Sequence, residues 1–282
     1  MKITRTIKAA QKEIEKARAK GKNIGFVPTM GALHEGHLSL IRRAFKENDF
    51  LVVSIFVNPK QFGPKEDFKA YPRPFEKDTR LCKKEGVDLV FAPSVREMYP
   101  EGYLTYVEQE KGLTHKLCGA SRPGHFRGVM TVVTKLFNII KPDSAYFGQK
   151  DAQQTIIIKK TVENLNMNVK VVVCPTVREG DGLAMSSRNQ YLNKEQRKEA
   201  LALFSSLQLA KDAIKKGKKD AHSIIKKMKN LIQKGTSCKI DYINIVDSKT
   251  LEDVKVIHGE ALIALAVKIG MTRLIDNVVV RP

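Results

Sequence analysis

The sequence contains no tryptophan, few cysteines and no long apolar run. No stretch approaches the roughly 20 apolar residues that a membrane-spanning helix needs, so we expect no interaction with a membrane. The lysine- and glutamate-rich start of the chain also lacks the apolar core of a signal peptide. The four cysteines are scattered without the spacing of a metal site, which is typical of reduced thiols and predicts a cytoplasmic protein.

Two common nucleotide-binding fingerprints are missing as well. No Gly-x-Gly-x-x-Gly pattern follows the first apolar strand, which argues against a nicotinamide-dependent enzyme. No Gly-x4-Gly-Lys-[Ser/Thr] loop is present, which excludes the P-loop class. Any nucleotide that binds this chain must therefore be held by a different kind of loop.

Acidic residues are outnumbered, since 50 lysines and arginines stand against 30 aspartates and glutamates, a net charge of +20. Residues 211–234 alone hold nine lysines and two aspartates. Apolar residues such as Ile214, Ile224 and Met228 keep helical spacing there, so we expect the lysines on the solvated faces of two helices. No aromatic residue lies among them to stack on bases, which favours a basic surface that attracts anionic substrates over nucleic-acid binding.

Apolar strands alternate with helical patterns through the first 174 residues. We predict strands near 24–27, 51–57, 87–91, 105–107, 145–147 and 169–174, and helices near 6–20, 75–85, 129–140 and 153–165. This alternation predicts an α/β fold with a doubly wound parallel sheet over residues 1–176.

The pattern changes after residue 176. Helices near 194–216 and 220–234 and strands at 240–246, 261–267 and 273–280 predict a smaller α+β domain over residues 177–282. We expect this domain to act as a lid with a hinge at the Gly-Asp-Gly sequence of residues 180–182.

One loop organises the functional predictions, residues 27–37 with the sequence VPTMGALHEGH. An apolar strand precedes it and a helical pattern follows it, and the free N–H groups and dipole of such a junction favour a phosphate. Gly31 and Gly36 allow a ligand to approach the backbone. His34 and His37 are three residues apart, so both face the same way on a first helical turn and can donate hydrogen bonds to phosphate oxygens.

Two other interpretations of the histidine pair stay open. The pair has the spacing of half a metal site, although no nearby cluster of Cys, His or carboxylate residues completes it. In the second interpretation, the two histidines are solvated residues at a helix start that has only a structural role. The sequence HEGH differs from the zinc-protease pattern HExxH, in which the histidines are four apart. Nucleotide phosphate binding is the interpretation that these residues favour.

Polar clusters follow three other predicted strands. Asn58 and Gln61 follow the second strand, residues 148–151 follow the strand at 145–147, and residues 177–188 follow the strand at 169–174. Ligands of doubly wound sheets bind beyond the carboxyl ends of the strands. We therefore expect these clusters and the histidine loop to meet at one edge of the sheet.

Five segments of the chain resemble known families. Residues 28–37 resemble the His-x-Gly-His signature of the nucleotidylyltransferase superfamily, which includes the class I aminoacyl-tRNA synthetases. Four further segments are similar, in the family's order, to characteristic segments of the pantothenate synthetase (pantoate–β-alanine ligase) family: SIFVNPKQF at 54–62, RPGHF at 122–126, FGQKDAQQ at 147–154 and MSSRN at 185–189. The last segment stands where the tRNA synthetases carry their Lys-Met-Ser-Lys-Ser loop. The resemblance covers essentially the whole chain.

The resemblance implies a homodimeric enzyme with a Rossmann-like N-terminal domain and a reaction in two steps. Pantoate attacks the α-phosphate of ATP, giving pantoyl adenylate and pyrophosphate, and the amine of β-alanine then displaces AMP to give pantothenate. Magnesium is expected to accompany the ATP. We assign no protein ligand to the metal, although Arg73 and Asp78 are candidates for contact with the phosphates or the magnesium.

The resemblance also assigns roles to individual residues. His37 is expected to be the proton donor, with His34 and Lys150 assisting at the phosphates. The expected ATP-binding residues are Met30, Gly31, Ala32, Leu33, His34, Glu35, Gly36, His37, Gly148, Gln149, Lys150, Asp151, Val177, Met185, Ser186, Ser187 and Arg188. Gln61 and Gln154 are expected to bind pantoate, and Gln61 to contact β-alanine as well. Neutral amides suit a substrate with hydroxyls and a carboxylate, since each amide offers a donor and an acceptor.

Two other functions stay open at this point. The positive charge and the synthetase-like loops are compatible with an RNA-binding or tRNA-charging protein, although no anticodon-type domain is evident. The alternative of a nucleotidylyltransferase with a phosphorylated acceptor is less favoured, because Gln61 and Gln154 would replace the Arg or Lys that a phosphate calls for.

Overall fold

A computed structural model describes residues 1–64, 66–110, 112–234 and 236–282. The chain divides into two compact units. The first unit consists of Met1–Glu110, Arg122–Gln149 and Gln154–Pro175, and the second of Lys111–Ser121, Lys150–Gln153 and Thr176–Pro282. Two short segments from the first part of the sequence, residues 111–121 and 150–153, thus belong to the second unit. The lid motion stays a prediction.

The first unit is built on a parallel sheet, as predicted. Its strands are β1 (Lys2–Thr4), β2 (Ile24–Thr29), β3 (Phe50–Ile55), β4 (Leu89–Phe91), β5 (Ser144–Gly148) and β6 (Lys170–Cys174). Among the described residues the strand order is β1-β4-β3-β2-β5-β6, with every neighbouring pair parallel. The chain runs from β2 toward β3 on one side and returns to β5 on the other, so the switch point of this Rossmann-like sheet lies between β2 and β5.

The described residues form nine α-helices. Along the chain they are α1 (Ile7–Arg18), α2 (Glu35–Glu47), α3 (Phe75–Lys84), α4 (Val95–Met98), α5 (Cys118–Ser121), α6 (His125–Ile140), α7 (Ala152–Asn164), α8 (Lys194–Lys215) and α9 (Ala221–Gln233). Of these, α5, α8 and α9 lie in the second unit. The cap of α1 shows how the sequence sets such a boundary, because the Thr6 hydroxyl accepts a hydrogen bond from the Ala9 N–H at 3.2 Å.

The central strands of the first unit are buried on both faces. Phe26, Val27, Val52 and Val53 are fully excluded from solvent, as expected when helices cover both sides of a parallel sheet. The apolar stripe of α2, which includes Ile41, packs into the same core. The strand–loop–helix junction at residues 30–34 is therefore carried on a rigid support.

The second unit contains an antiparallel sheet of order β7-β8-β9, formed by β7 (Lys239–Asp247), β8 (Ala261–Ile269) and β9 (Thr272–Val280). Buried residues of α8 and α9, among them Leu207 and Met228, form one core with strand residues such as Ile263. The helices predicted at 194–216 and 220–234 are confirmed as α8 and α9. Lys215, Lys226 and Lys229 lie on their solvated faces, whereas Lys218 lies in the segment that joins the two helices.

The structure corrects two details of the predicted strands. The segment 105–107 is not a strand. The Val107 N–H donates to the hydroxyl of Thr131 in α6 at 3.0 Å, so this amide is bound by a side chain instead of a neighbouring strand. Conversely, β1 was not predicted, because its three residues are too few and too polar to show an apolar pattern, yet it pairs with β4. Among the described residues, none of the helices combines the length and the apolar character that crossing a bilayer requires.

All four cysteines lie among the described residues. Cys82, Cys118, Cys174 and Cys238 are buried and are free thiols, as predicted. Burial raises the pKa of the Cys82 thiol to about 12, which keeps this side chain protonated and unreactive at neutral pH.

Candidate active site

A buried carboxylate holds the loop that follows β2. Asp78, in the first turn of α3, is 1% exposed. One of its carboxylate oxygens accepts a hydrogen bond from the Ala32 N–H and the other from the Leu33 N–H, each at 2.8 Å. Burial raises the pKa of Asp78, while these two N–H donors oppose that rise. The carboxylate thus occupies two backbone donors at the base of the loop.

The same loop has an unusual backbone conformation. Gly31 has φ +79° and Ala32 has φ +51°, so two consecutive residues lie in the left-handed region. A Cβ atom at Gly31 would lie 2.9 Å from a carboxylate oxygen of Asp78, so only glycine fits there without a shift. This geometry explains the Gly-Ala pair in the sequence and fixes the direction in which the chain enters α2.

His34 and His37 lie together at the start of α2, as predicted. His34 is the N-cap residue and His37 lies in the first turn, and their ring centroids are 4.1 Å apart. The His34 N–H points to Nδ1 of His37 at 3.4 Å. Because Nδ1 accepts in this contact, the proton of the neutral His37 ring lies on Nε2, the donor that a phosphate oxygen needs.

Gln61 presents its amide N–H groups toward the histidine loop. Its Oε1 accepts from Nδ2 of Asn58 at 3.0 Å, and its Nε2 lies 3.1 Å from the Met30 sulfur. The orientation of Asn58 is set in turn, because its Nδ2 donates to the Gly128 carbonyl while its Oδ1 accepts from the Tyr99 hydroxyl at 2.8 Å. The Gln61 oxygen therefore faces Asn58, and the amide nitrogen is the group that a substrate oxygen can meet.

The RPGHF segment supports the backbone of Gln61. Nη1 of Arg122 donates to Nε2 of His125 at 2.8 Å, so the His125 proton lies on Nδ1 and is donated to the Gln61 carbonyl at 2.7 Å. Arg122 also forms two hydrogen bonds with the Glu66 carboxylate, at 2.7 and 2.6 Å. Burial raises the pKa of Glu66, but the Arg122 guanidinium outweighs this and leaves the pKa below its ordinary value.

Close packing of α6 also fixes the turn that carries Gln61. Gly128 lies against the backbone of residues 60 and 61, and a Cβ atom there would come within 2.1 Å of the Lys60 carbonyl oxygen. This contact requires glycine at position 128. The Gln61 turn is thus held through Asn58, His125 and Gly128 at once.

The two adjacent glutamines at the start of α7 differ in environment. Gln153, in the second unit, is buried, and its amide binds backbone groups of the 112–121 segment: it accepts from the Cys118 N–H at 2.9 Å and donates to the Leu113 and Lys116 carbonyls at 2.8 and 2.7 Å. Gln154, in the first unit, is half-buried. Gln153 therefore has a structural role, and Gln154 stays the predicted pantoate ligand.

The predicted ATP-binding residues that follow β5 form a short turn. Gly148 ends the strand, and Gln149, Lys150 and Asp151 make one turn of 3-10 helix, all of them half-buried. In the second unit, the Lys150 carbonyl accepts a hydrogen bond from Nδ2 of Asn277 at 2.8 Å. The main chain of Lys150 is thus fixed by a residue of β9.

The predicted ATP-binding residues 177 and 185–188 belong to a compact loop of the second unit. The Met185 N–H donates to the Val177 carbonyl at 3.0 Å, which closes a small hairpin. Ser186 caps the turn that follows, because its hydroxyl accepts from the Arg188 N–H at 3.2 Å. Ser187 and Arg188 lie in the 3-10 turn Ser187–Tyr191 and are half-buried. The serines and the arginine are therefore presented on a defined turn.

Two residues considered for the phosphates or the magnesium have other partners. Asp78 binds backbone N–H groups, as described above, and Arg73 donates to the backbone carbonyls of Phe68 and Tyr71 at 2.7 and 2.8 Å. Among the described residues, no three side chains of His, Cys, Asp or Glu lie close enough together to hold a metal ion.

Sequence reasoning brought Gln61 to the histidine loop but missed the residues that support both. The roles of Asp78 and Tyr99 were not predicted, since these residues act through contacts 41 to 46 positions away in sequence. Asn58 was placed in the same cluster as Gln61, but its hydrogen bonds to Gln61 and Tyr99 were not predicted. Asp276 and Asn277 were missed as well, although two polar residues inside the apolar strand LIDNVVV are a readable signal. The ATP- and substrate-binding roles of the predicted residues stay predictions.

Comparison with known proteins identifies the family resemblance over nearly the whole chain. The family model for pantoate–β-alanine ligase matches residues 2–279. A pantothenate synthetase of Acetivibrio thermocellus is 58% identical over 280 residues, which cover 99% of this chain and 99% of that protein. A second pantothenate synthetase, from Thermotoga neapolitana, is 57% identical over 279 residues and again covers 99% of each chain.

Solved structures agree over the full length. The crystal structure of pantoate–β-alanine ligase (pantothenate synthetase) from Thermus thermophilus has a TM-score of 0.96 at 44% identity and covers 100% of both chains. The pantoate–β-alanine ligase of Francisella tularensis, complexed with β-γ ATP and β-alanine, has a TM-score of 0.83 at 38% identity and covers 99% of this chain and 97% of that chain. The chain described here belongs to the pantoate–β-alanine ligase family.

Proposed function

We propose that the protein joins the carboxylate of pantoate to the amine of β-alanine at the expense of ATP, through a pantoyl adenylate. The observation that carries this proposal is the amide of Gln61. Its nitrogen faces the Met30 end of the loop that bears His34 and His37, so a donor for substrate oxygens lies beside a loop suited to phosphates. The ATP and β-alanine bound to the related Francisella tularensis enzyme support the choice of substrates.

The need for an adenylate follows from carboxylate chemistry. A carboxylate does not react with an amine directly, because oxide would have to leave. In the first step a carboxylate oxygen of pantoate attacks the α-phosphorus, and the bond from that phosphorus to the bridging oxygen of the β-phosphate breaks. In the second step the amine nitrogen of β-alanine attacks the acyl carbon, AMP leaves with the former carboxylate oxygen, and the nitrogen loses a proton.

Negative charge grows on the departing pyrophosphate in the first step, so donors placed there accelerate it. We assign this task to Nε2 of His37, with His34 and Lys150 assisting. Arg188 and the hydroxyls of Ser186 and Ser187 are the further phosphate ligands. Loss of one such donor costs about 10²–10³ in rate.

Pantoate binding is assigned to two amides. We propose that Nε2 of Gln61 donates to oxygens of pantoate, since its own oxygen is already engaged by Asn58. Gln154 is the second amide, and Gln61 also contacts β-alanine. Neutral amides bind the carboxylate without forming an ion pair, which leaves the oxygen nucleophilic.

Magnesium is proposed to reach the site on ATP. The described protein groups do not form a cluster of carboxylates or imidazoles that fits the ion, so phosphate oxygens and water are its expected ligands. Two further proposals come from the family: the protein is a homodimer, which sedimentation of the purified protein tests, and it works in the cytoplasm, in keeping with its four free thiols.

The test of the proposed function is isotope exchange between labelled pyrophosphate and ATP. An adenylate mechanism predicts exchange that requires pantoate and does not require β-alanine. Omission of pantoate is the control and should abolish exchange. Absence of exchange with pantoate present, in a preparation that forms pantothenate, would rule out a reversible adenylate step.

A further inference from the structure

The middle of β9 contains two adjacent buried polar residues. Asp276 is 2% exposed and Asn277 is 5% exposed, and the strand around them is otherwise mostly apolar. A buried carboxylate or amide is costly unless its polar atoms have partners. The partners of these two side chains therefore indicate what they do.

Asn277 holds the main chain of Lys150. Its Nδ2 donates to the Lys150 carbonyl at 2.8 Å, and this contact lies within the second unit. The hydrogen bond fixes the backbone from which the lysine side chain extends. A long, flexible ammonium is placed only as well as its backbone, so this bond limits where the Lys150 charge can go.

Asp276 holds Arg178 in a bidentate ion pair. Its two oxygens accept from Nη1 and Nη2 of Arg178 at 2.6 and 3.0 Å, and one of them also accepts from the Asn277 N–H at 2.8 Å. Nη1 of Arg178 donates in addition to the Gly182 carbonyl at 3.0 Å. The guanidinium lies 4.5 Å from the centre of the Phe204 ring. Arg178 is thus fixed on three sides and closes the loop 178–182.

The hairpin that Arg178 closes carries the serine–arginine turn. The Glu179 N–H donates to the Leu183 carbonyl at 2.8 Å, and the Glu179 carboxylate accepts from Nδ2 of Asn189 at 2.6 Å. Asn189 follows Arg188 directly in the chain. The turn of residues 185–188 is therefore attached at both ends to residues next to Arg178.

We propose that Asp276 and Asn277 are positioning residues that set Lys150 and the turn of residues 185–188 in register for the phosphates of ATP. This inference rests on the proposed function, because it takes Lys150, Ser186 and Arg188 as phosphate ligands. In this proposal each β9 residue acts through the loop it holds. Adjacent positions on one rigid strand tie two loops together that are distant in sequence.

The register matters because phosphoryl transfer depends on charge placement. A misplacement of about 1 Å costs on the order of 10²-fold in rate when a group must meet a developing charge. Two cations on separate loops would have to find their positions independently. The Asp276–Asn277 pair removes that freedom before ATP binds.

The experiment compares two variants with two matched controls in the full-length protein. Asn277→Ala and Asp276→Asn remove the contacts to Lys150 and Arg178. Asn244→Ala and Asp241→Asn change the same residue types in the same sheet, where Asn244 donates to Asp253 at 3.1 Å and Asp241 pairs with Arg273 at 2.7 Å. Each protein is assayed for pantoate-dependent pyrophosphate–ATP exchange, and circular dichroism checks its fold.

We expect kcat/KM for ATP in the exchange to fall by about 10- to 100-fold in Asn277→Ala and Asp276→Asn. The KM for pantoate should stay within about twofold, and both controls should match the wild type in every parameter. If Asp276→Asn does not fold, Arg178→Lys replaces it, since lysine keeps the charge and loses the bidentate pair. Asn277→Leu likewise replaces Asn277→Ala, because leucine keeps most of the side-chain volume, adds no charge and lacks the donor to Lys150.

A double-mutant cycle separates positioning from general structural damage. In a Lys150→Ala background, Asn277→Ala should add less than about a twofold loss, because the side chain it positions is already gone. Additive losses would overturn the inference, as would an Asn277→Ala enzyme equal to the controls. If the wild-type protein itself shows no pantoate-dependent exchange, it is the proposed function that fails.

Discussion

The loop after β2 and the loop after β6 carry predicted phosphate ligands, but they are held in different ways. In the first, the buried Asp78 carboxylate accepts directly from two backbone N–H groups. In the second, side-chain ion pairs hold the loop, and one of them, Arg197 with Glu179 and Asp181, is partly exposed to solvent. Direct backbone bonds to a buried group fix a conformation, whereas exposed pairs weaken in salt.

The difference predicts that the two loops respond differently to substitution and to salt. The histidine loop is a fixed template on the central strand, with two left-handed residues that tolerate little change. The loop of residues 178–189 depends in addition on the partly exposed ion pairs of Arg197, so we expect it to be more sensitive to salt than the histidine loop. The lid function of residues 177–282 stays a prediction, and the experiments below test the contrast between the two loops.

The largest effects are expected from the proposed phosphate donors themselves. His37→Ala, in the fixed loop, and Lys150→Ala, in the second unit, should each lower the rate of pantoate-dependent exchange by about 10²–10³. Circular dichroism and thermal unfolding should match the wild type, because both side chains are half-buried and outside the core.

Two exposed residues of α9 provide controls for this pair. His222→Ala and Lys226→Ala remove the same side-chain types from a solvated face and should leave the exchange rate unchanged. A His37→Ala or Lys150→Ala enzyme with normal exchange would remove that residue from the mechanism.

A smaller loss is expected when the support of the fixed loop is changed without touching the histidines. Asp78→Asn replaces one acceptor by an amide donor that faces a backbone N–H, so either Ala32 or Leu33 loses its partner. An unsatisfied buried donor costs about 1–3 kcal/mol. We expect kcat/KM for ATP to fall by about 10- to 100-fold, measured by steady-state kinetics.

The matched control is the same substitution at an exposed aspartate of α8. Asp212→Asn should have wild-type kinetics, because its carboxylate is solvated. If Asp78→Asn also keeps wild-type kinetics, the histidine loop does not depend on the carboxylate, and the contrast between the two loops loses its basis.

A change beneath Gln61 should affect pantoate rather than ATP. Gly128→Ala places a methyl group where the Lys60 carbonyl now lies, so the turn that carries Gln61 must move. We expect the KM for pantoate to rise by about tenfold and stability to fall by about 1–3 kcal/mol from overpacking. Steady-state kinetics and denaturant unfolding measure the two effects.

Gly259→Ala is the control for this substitution. Its added Cβ meets nothing within 4 Å, so both the KM for pantoate and the unfolding free energy should stay near the wild-type values. An increase of the KM for ATP in Gly128→Ala, without a change for pantoate, would contradict the assignment of Gln61.

The smallest expected effect is a difference between the two loops in the salt dependence of amide exchange, which needs no mutation. Raising the salt concentration should increase amide hydrogen exchange in residues 178–189 by a fewfold, because the Arg197 ion pairs are screened. The amides of Ala32 and Leu33 should keep their protection, since their acceptor is buried. Equal sensitivity of the two loops would show that both are held alike.

Much of the fold could be predicted because its signals are local. The strand–loop–helix pattern around residues 24–45 follows from apolar spacing and glycine, and the structure confirms β2 and α2 there. The strand β1 escaped detection because it is stabilised by pairing with β4, a partner 87 residues away that no local pattern reveals. The strand predicted at 105–107 is wrong for the opposite reason, because its local pattern resembles a strand but no strand among the described residues pairs with it.

In the candidate site, the residues proposed to contact the ligands could be predicted, whereas the residues that support them could not. Residue types suited to phosphates and amides suited to pantoate are visible in the sequence, and Gln61 does face the Met30 loop. The supporting contacts are not visible, because Asp78, Tyr99 and Asp276 act on residues that only the folded chain brings near. Which of two adjacent glutamines is structural could not be predicted either, since both begin the same helix and only Gln153 binds the 112–121 segment.

The central claim is that this chain activates a carboxylate as an acyl adenylate. Pantoate labelled with ¹⁸O in both carboxylate oxygens tests it directly, with mass spectrometry of the AMP and pantothenate formed. The account predicts one ¹⁸O atom in each AMP, one in each pantothenate and none in pyrophosphate, since the attacking oxygen leaves with AMP. AMP free of label, at full conversion to pantothenate, would contradict it.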